Sequence, residues 1–286
     1  MAEIRLVTDS TADLPQELVE RYGITVVPLK VNFGEETYRD GIDMPGEEFY
    51  ERLRNASALP TTSQPSPAEF VEAYNPLAEE GAEILSIHIS SALSGTVQSA
   101  KLAASMLKYP DIEVVDSYGV SVYLGAMVLE AARAIEKGYS KEEILKLWQS
   151  FHSRQRLYFT VDSLEHLQKG GRIGKATAFL GTLLNIKPLL MIKDGGVFPY
   201  EKVRGRKKAF KRMVEAARKE FGDGTPLHIF AVHGDVPEYL TELRQLIVEN
   251  LNCTELLTSR VGPVVGTHAG PSVCGFICWR DPENLE

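Results

Sequence analysis

Between residues 4 and 161 the chain alternates short apolar runs with helix-length stretches, and that alternation narrows the folds open to it. "IRLVT" (4–8), "ITVVPLKVNF" (24–33), "EILSIHI" (83–89), "IEVVD" (112–116) and "LYFTV" (157–161) read as strands. Near-continuous apolar runs of this length are what strands buried on both faces require. Helices are expected at 67–79, 96–107, 120–137 and 141–153. Strands that alternate with helices imply a parallel sheet covered by its crossover connections. The helix starts carry their own marks. Ser66 with Glu69, Asp13 with Gln16 and Ser140 with Glu143 have capping-box spacing, Pro67 stands at a first helical position, and Gly23 is placed to close a helix. Pro28 signals an edge or a bulge.

The second half changes character. "PLLMIK", "GVFPYEKV" (196–203), "LHIFAVH" (227–233), "TELLTS" (254–259) and "VCGFICW" (273–279) read as strands, with helices over 205–221 and 236–250. "KDGG" at 193–196 is a hairpin turn. A chain of 286 residues exceeds the usual size of one core. We therefore expect an α/β protein of two packed domains: an N-terminal parallel-sheet α/β domain over 1–160 and a C-terminal α+β domain over 161–286.

Charge and cysteine content exclude several functions. The 31 basic and 39 acidic residues give a net charge of −8, which disfavours nucleic acid or an anionic membrane as the main partner. Three cysteines make no disulfide framework. Cys274 and Cys278, in one strand, stand roughly 13 Å apart, too far for a bridge or a shared metal. With no apolar leader and no long apolar run, the expectation is a cytoplasmic protein without stable membrane insertion.

Chemistry concentrates in four stretches. In "LPTTSQPSPAEF" (59–70), Thr61, Thr62 and Ser63 precede a helix start that Ser66 already caps. "ISSALSGTVQSA" (89–100) follows a strand and opens a helix, the place where α/β proteins bind ligands, so Ser94 either caps that helix or faces a ligand. "KGGRIGK" (169–175) fails the phosphate-loop pattern, because Ala176 stands where Ser or Thr must hold magnesium; its glycines shape a turn. In "GPVVGTHAGPS" (262–272), His268 is flanked by Gly266 and Gly270, which let its backbone approach other elements closely. His88 and His233 read as structural, and no histidine pair has metal spacing. Ser94 and His268 with Asp9 or Asp116 would compose a serine esterase, yet "ALSGT" lacks the first glycine of a nucleophile elbow. Several hydroxyls beside one histidine fit a carboxyl group better than a single nucleophile.

Taken together, "TDSTADLP" (8–15), "PTTSQPS" (60–66), "SSALSGT" (90–96), "VDS" (115–117), "LQKGGRI" (167–173), "KVRG" (202–205) and "GPVVGTHAGP" (262–271) resemble the DegV family of bacterial fatty-acid-binding proteins. The resemblance implies a tunnel between the domains holding one long-chain fatty acid, such as palmitate, and no catalytic residue, metal or cofactor. It implies that Thr62, Ser94 and His268 form the carboxyl site, with Thr61 and Ser63 beside them. It further implies a carrier that presents the carboxyl group to an ATP-dependent kinase subunit for acyl phosphate formation, with Arg204 docking that subunit; nothing in the sequence calls for more than a monomer. Ser272 departs from the family pattern, where glycine is expected. Candidate tunnel walls are "TAFLGTLLNIKPLLMI" (177–192) and "VSVYLGAMVL" (120–129). Hydroxyls serve this task because they donate to a carboxylate or accept from a protonated acid. A buried arginine would hold the anion too firmly to be handed on.

Overall fold

The computed structural model describes residues 3–107, 109, 111–181 and 185–282. Strand β1 (Ile4–Asp9) leads through a 3-10 turn and α1 (Gln16–Arg21) to β2 (Thr25–Val27). Past Pro28 the chain leaves this sheet and folds β3 (Lys30–Phe33) against β4 (Glu36–Arg39). After α2 (Gly46–Asn55), strand β5 (Thr61–Ser63) returns to pair antiparallel with β3. Then come α3 (Pro67–Glu79), β6 (Glu83–His88), α4 (Thr96–Leu107), β7 (Ile112–Asp116), α5 (Val122–Glu136) and α6 (Lys141–Arg154). The first sheet is wholly parallel, in the order β2-β1-β6-β7.

The remainder supplies β8 (Gln155–Thr160), α7 (Glu165–Lys169), β9 (Ile186–Lys193), β10 (Gly196–Arg204), α8 (Arg206–Phe221), β11 (Leu227–His233), α9 (Pro237–Asn250), β12 (Cys253–Arg260), α10 (Pro263–Ala269) and β13 (Cys274–Trp279). Its sheet is mixed, ordered β10-β9-β8-β13-β11-β12. The "KDGG" turn joins β9 to β10 as expected, with Asp194 and Gly195 both at positive φ, the signature of a type I′ hairpin.

Helix α5 is the keystone. Eleven of its 15 residues are buried, as befits a helix that is apolar all round. One side, including Leu124 and Val128, packs with the parallel sheet; the other, including Val122 and Met127, packs with Phe159 of β8 and Ile277 of β13. Helix α8, through Phe210 and Met213, covers the opposite face of the mixed sheet.

Four local expectations are corrected. The 157–161 run does not extend the parallel sheet; β8 pairs antiparallel with β13 and β9. Both of its faces are covered, so its apolar run looks the same in either orientation. Pro28 splits the expected 24–33 strand into β2 and β3, in different sheets. Thr61–Ser63 is a strand rather than a loop. Asp13 does not cap α1: it sits at φ 49° with its carboxyl turned inward, bonded to Ser121 and to the Gly262 N–H. The other two capping boxes form as expected.

Candidate functional site

Both halves of the chain line a cavity of about 340 Å³. Its walls are mostly apolar: Leu29 and Ile89 from the first half, Phe159 of β8, Ile192 of β9 and Val264 of α10. Of the expected wall segments, 120–129 contributes Val120, Ser121 and Val122, and 177–192 contributes Ile192; residues 182–184 of that segment lie outside the described residues. The rest of the wall comes from β8, β10, β11, β13, α7, α10 and the segments at Leu29, Ile89 and Leu93.

The polar lining is Thr62, Ser63, Gln64, Ser94, Ser121, Arg172 and His268. Strand geometry separates Thr61 from Thr62, because neighbouring side chains point to opposite faces. Thr62 Oγ1 lies 2.8 Å from His268 Nε2. Thr61 instead faces Asn32, 3.5 Å away, and does not line the cavity. Ser63 is exposed and lines the cavity. Ser94 stands just ahead of α4, its Oγ 2.9 Å from that of Thr96.

His268 rides on α10. Its Nδ1 is buried and has no partner among the described residues, against Gly170, where a Cβ would come within 2.2 Å of that nitrogen. Only glycine fits there. Burial, then the charge of Arg172 and the proximity of His166, push the His268 pKa down to about 4, so the ring is neutral at physiological pH. A neutral ring carries one N–H. Placing it on Nε2 gives it Thr62 Oγ1 as acceptor, whereas a proton on Nδ1 would be a stranded buried donor. The Thr62 hydroxyl then keeps its own hydrogen free to donate into the cavity.

Arg172 and Gln64 are the lining residues that sequence reasoning missed. The Arg172 guanidinium donates from Nε to the Leu93 carbonyl (3.1 Å) and from Nη1 to the Gly170 carbonyl (2.7 Å). No carboxylate pairs with it among the described residues. An arginine therefore does stand in this hydroxyl-lined site, contrary to expectation. Two backbone carbonyls already engage it, which leaves it fewer free donors for a bidentate grip on an anion. In the sequence Arg172 sits in "KGGRIGK", whose glycines describe a turn and give the arginine no task of its own. Gln64 reaches across to Gly95, where a Cβ would come within 2.5 Å of its amide oxygen, and its Nε2 donates to Ser99 Oγ at 3.2 Å.

The esterase arrangement is not assembled. His268 bonds Thr62 rather than Ser94, no acid orients its Nδ1, and Asp9 is engaged by His88 Nδ1 and the Ile89 N–H. His88 is fully buried between Asp9 and Ser86, a structural histidine. Arg204 lies apart from the cavity lining, exposed at the end of β10. Ser272, the departure from pattern, has a local role: its Oγ accepts the Asp162 N–H at 2.8 Å. Among the described residues no group of acidic, histidine or cysteine side chains could hold a metal, and no helix is long and apolar enough to cross a membrane.

An amphipathic cavity in an α/β protein of three sheets, its polar groups drawn from β5, the β6–α4 loop, the α7 turn and α10, defines the class of molecule. The chain belongs to the DegV family. The family model described as "Uncharacterised protein, DegV family" matches residues 3–281. Protein DegV of Bacillus subtilis is 39% identical over 277 residues, covering 96% of this chain and 98% of the relative. Among solved structures, a DegV family protein from Thermus thermophilus described by its fatty acid binding superposes with a TM-score of 0.93 at 40% identity, covering 98% of this chain and all of that one. A stearic-acid-binding protein from Eubacterium ventriosum superposes with a TM-score of 0.88 at 30% identity over the full length of both.

Proposed function

We propose that this protein is a non-catalytic carrier that binds one long-chain fatty acid in a tunnel between its two domains. We move the expected boundary at residue 160 back to the α6–β8 junction, because β8 (Gln155–Thr160) pairs within the mixed sheet. The carboxyl group is bound by Thr62 and Ser94, with His268 orienting Thr62 and Ser63 beside them; Thr61 serves the β5 pairing instead. The observation that carries this reading is a mostly apolar cavity whose polar lining includes a hydroxyl already aligned by a neutral histidine. Burying about 14 methylenes at about 0.8 kcal/mol each supplies on the order of 11 kcal/mol before the cost of immobilising the chain. The headgroup contacts then need only fix orientation. The fatty acid binding described for the Thermus thermophilus and Bacillus subtilis proteins supports the same ligand class.

The carrier works as a monomer in the cytoplasm, without cofactor, and presents the carboxyl group to an ATP-dependent kinase subunit that forms the acyl phosphate. Arg204 docks that subunit. Mass spectrometry of lipid extracted from the purified protein tests the ligand: a stoichiometric fatty acid, palmitate among the candidates, is expected. A protein free of lipid that also fails to take up added fatty acid would overturn the proposal. Labelling of Ser94 by a fluorophosphonate would restore the esterase.

A further inference from the structure

Behind α10 lies a second cleft of about 530 Å³ that shares Val261 with the apolar cavity; the buried Asp9, already engaged by His88, lines it together with two further buried acids, Asp13 and Asp40. Their exposures are 7% and 4%, so their contacts are almost entirely with the protein. Asp13 shares a 2.5 Å hydrogen bond with Ser121 Oγ and accepts the Gly262 N–H at 2.9 Å. The Asp40 carboxyl lies against Gly262, where a Cβ would come within 3.2 Å of its Oδ1, and the Asp40 N–H donates to the Leu29 carbonyl at 2.9 Å. Ser10 Oγ accepts the Leu29 N–H at 3.0 Å. The segments so fastened are parts of the fatty acid cavity's wall: Leu29, Ser121, Val261 and Val264 all line it.

Ser121 makes the dependence sharper. It sits at φ 58°, ψ −137°, a conformation that residues with a Cβ avoid. Two bonds hold it there, its N–H to the Thr11 carbonyl at 2.8 Å and its hydroxyl to Asp13.

Building on the carrier reading, we infer that Asp13 and Asp40 are positioning residues of the acyl cavity, fastening the α5 start and the α10 start as the wall against which the chain packs. Burial is the main reason the Asp13 pKa rises to about 8 and that of Asp40 to about 7. Near pH 6 both carboxyls are therefore largely uncharged, and a neutral acid can donate one hydrogen bond while accepting others. The facing groups do not offset the loss of those protons. Asp9, at the end of β1, adds negative charge to both acids. Tyr50 of α2 is uncharged, its own pKa pushed far up by burial. Arg260 of β12 is turned to Glu47 of α2 at 3.3 Å. Among the described residues Asp40 Oδ2 has no partner to stabilise a charge. As pH rises through 7 to 8, buried like charges form side by side and loosen both starts.

Affinity for dodecanoate, measured by calorimetry between pH 6 and pH 9, tests this in the wild type and in the Asp13→Asn/Asp40→Asn double variant. The wild type should bind about tenfold more weakly at pH 9 than at pH 6, a coupling of ordinary size. The same ratio should shrink below about twofold in the double variant, whose amides do not ionise in this range. In the ligand-free wild type, amide protection at Gly262 and Val264, corrected for intrinsic exchange, should fall over the same interval. That measurement decides the matter if the double variant does not fold. A flat wild-type affinity, an equal slope in the double variant, or unchanged protection would overturn the inference alone. Failure to bind dodecanoate at pH 6 would overturn the carrier reading beneath it.

Discussion

Thr62 Oγ1 and His268 Nε2 meet at 2.8 Å across 206 residues of sequence, joining an edge strand of the three-stranded sheet to the short helix α10. The contact gives each partner a fixed role: the neutral ring donates, and the hydroxyl passes its hydrogen toward the cavity. Thr62→Val keeps the branched shape but removes the hydroxyl. It deletes the contact with a carboxylate and leaves the His268 N–H unpaired. Fatty acid affinity should fall by roughly 1–3 kcal/mol, with Ser94→Ala showing a loss of the same order. The check is calorimetry with one fatty acid across the three proteins. Unchanged affinity in both variants would remove these hydroxyls from the carboxyl site.

The lowered pKa of His268 makes a stability prediction. In the unfolded chain this histidine protonates near pH 6.5, whereas in the folded protein it stays neutral down to about 4. Across that window the unfolded state binds the extra proton, so stability falls as pH drops from 6.5 toward 4. Above pH 6.5 both states are neutral and the effect vanishes. His268→Asn cannot take up that proton. Melting temperatures measured from pH 7 to pH 4.5 should therefore decline less steeply in His268→Asn than in the wild type. Parallel curves would place the proton elsewhere.

Arg172 predicts a discrimination between headgroups. Its guanidinium lines the cavity with no acidic partner among the described residues and lowers the affinity of His268 for protons. A carboxylate gains from that charge, whereas an alcohol of equal chain length gains little. Arg172→Gln should weaken fatty acid binding by about 1.5–3 kcal/mol, the range for hydrogen bonds to charged groups, and change fatty alcohol binding by well under that. The acid-side stability loss should also be smaller in this variant and level off at a higher pH, because without the Arg172 charge the folded-state pKa of His268 rises toward its unfolded value. Equal losses for acid and alcohol would reduce Arg172 to a packing role.

The fold was largely legible because its strands and helices carry local signals. "EILSIHI" and "IEVVD" pair as β6 and β7, and the boxes at Ser66 and Ser140 open α3 and α6. What local signals could not carry was direction and side-chain choice. β8 read as parallel because both of its faces are covered by helices, and nothing in its composition records which neighbour it pairs with. Asp13 has capping spacing, yet bonds to Ser121 and Gly262 from distant segments outweigh a cap on six residues of helix. Within the site, Thr62 and His268 were legible as unusual residues without a local task. Arg172 was not. Its sequence neighbours describe a glycine turn, and only the fold aims that turn at His268.

Arg204 tests the step beyond binding. In "RGRKK" (204–208), Arg206 is held by Glu242 at 3.4 Å and lies over the Tyr239 ring. Arg204 is exposed and has no side-chain partner among the described residues. It stands between a strand and a helix whose backbones fix its base, so little beyond the side chain's own freedom is lost when a partner engages it. A guanidinium so placed can form paired bonds to a carboxylate, which alanine cannot replace. Arg204→Ala should bind fatty acid as the wild type does, since it lies apart from the cavity lining. With an ATP-dependent fatty acid kinase subunit supplied as the proposed partner, and with carrier limiting, it should support acyl phosphate formation about tenfold more slowly or worse. The deficit should shrink as carrier concentration is raised, because docking rather than chemistry is impaired. A deficit that persists at saturating carrier would point to chemistry, and full turnover at limiting carrier would take Arg204 off the docking surface.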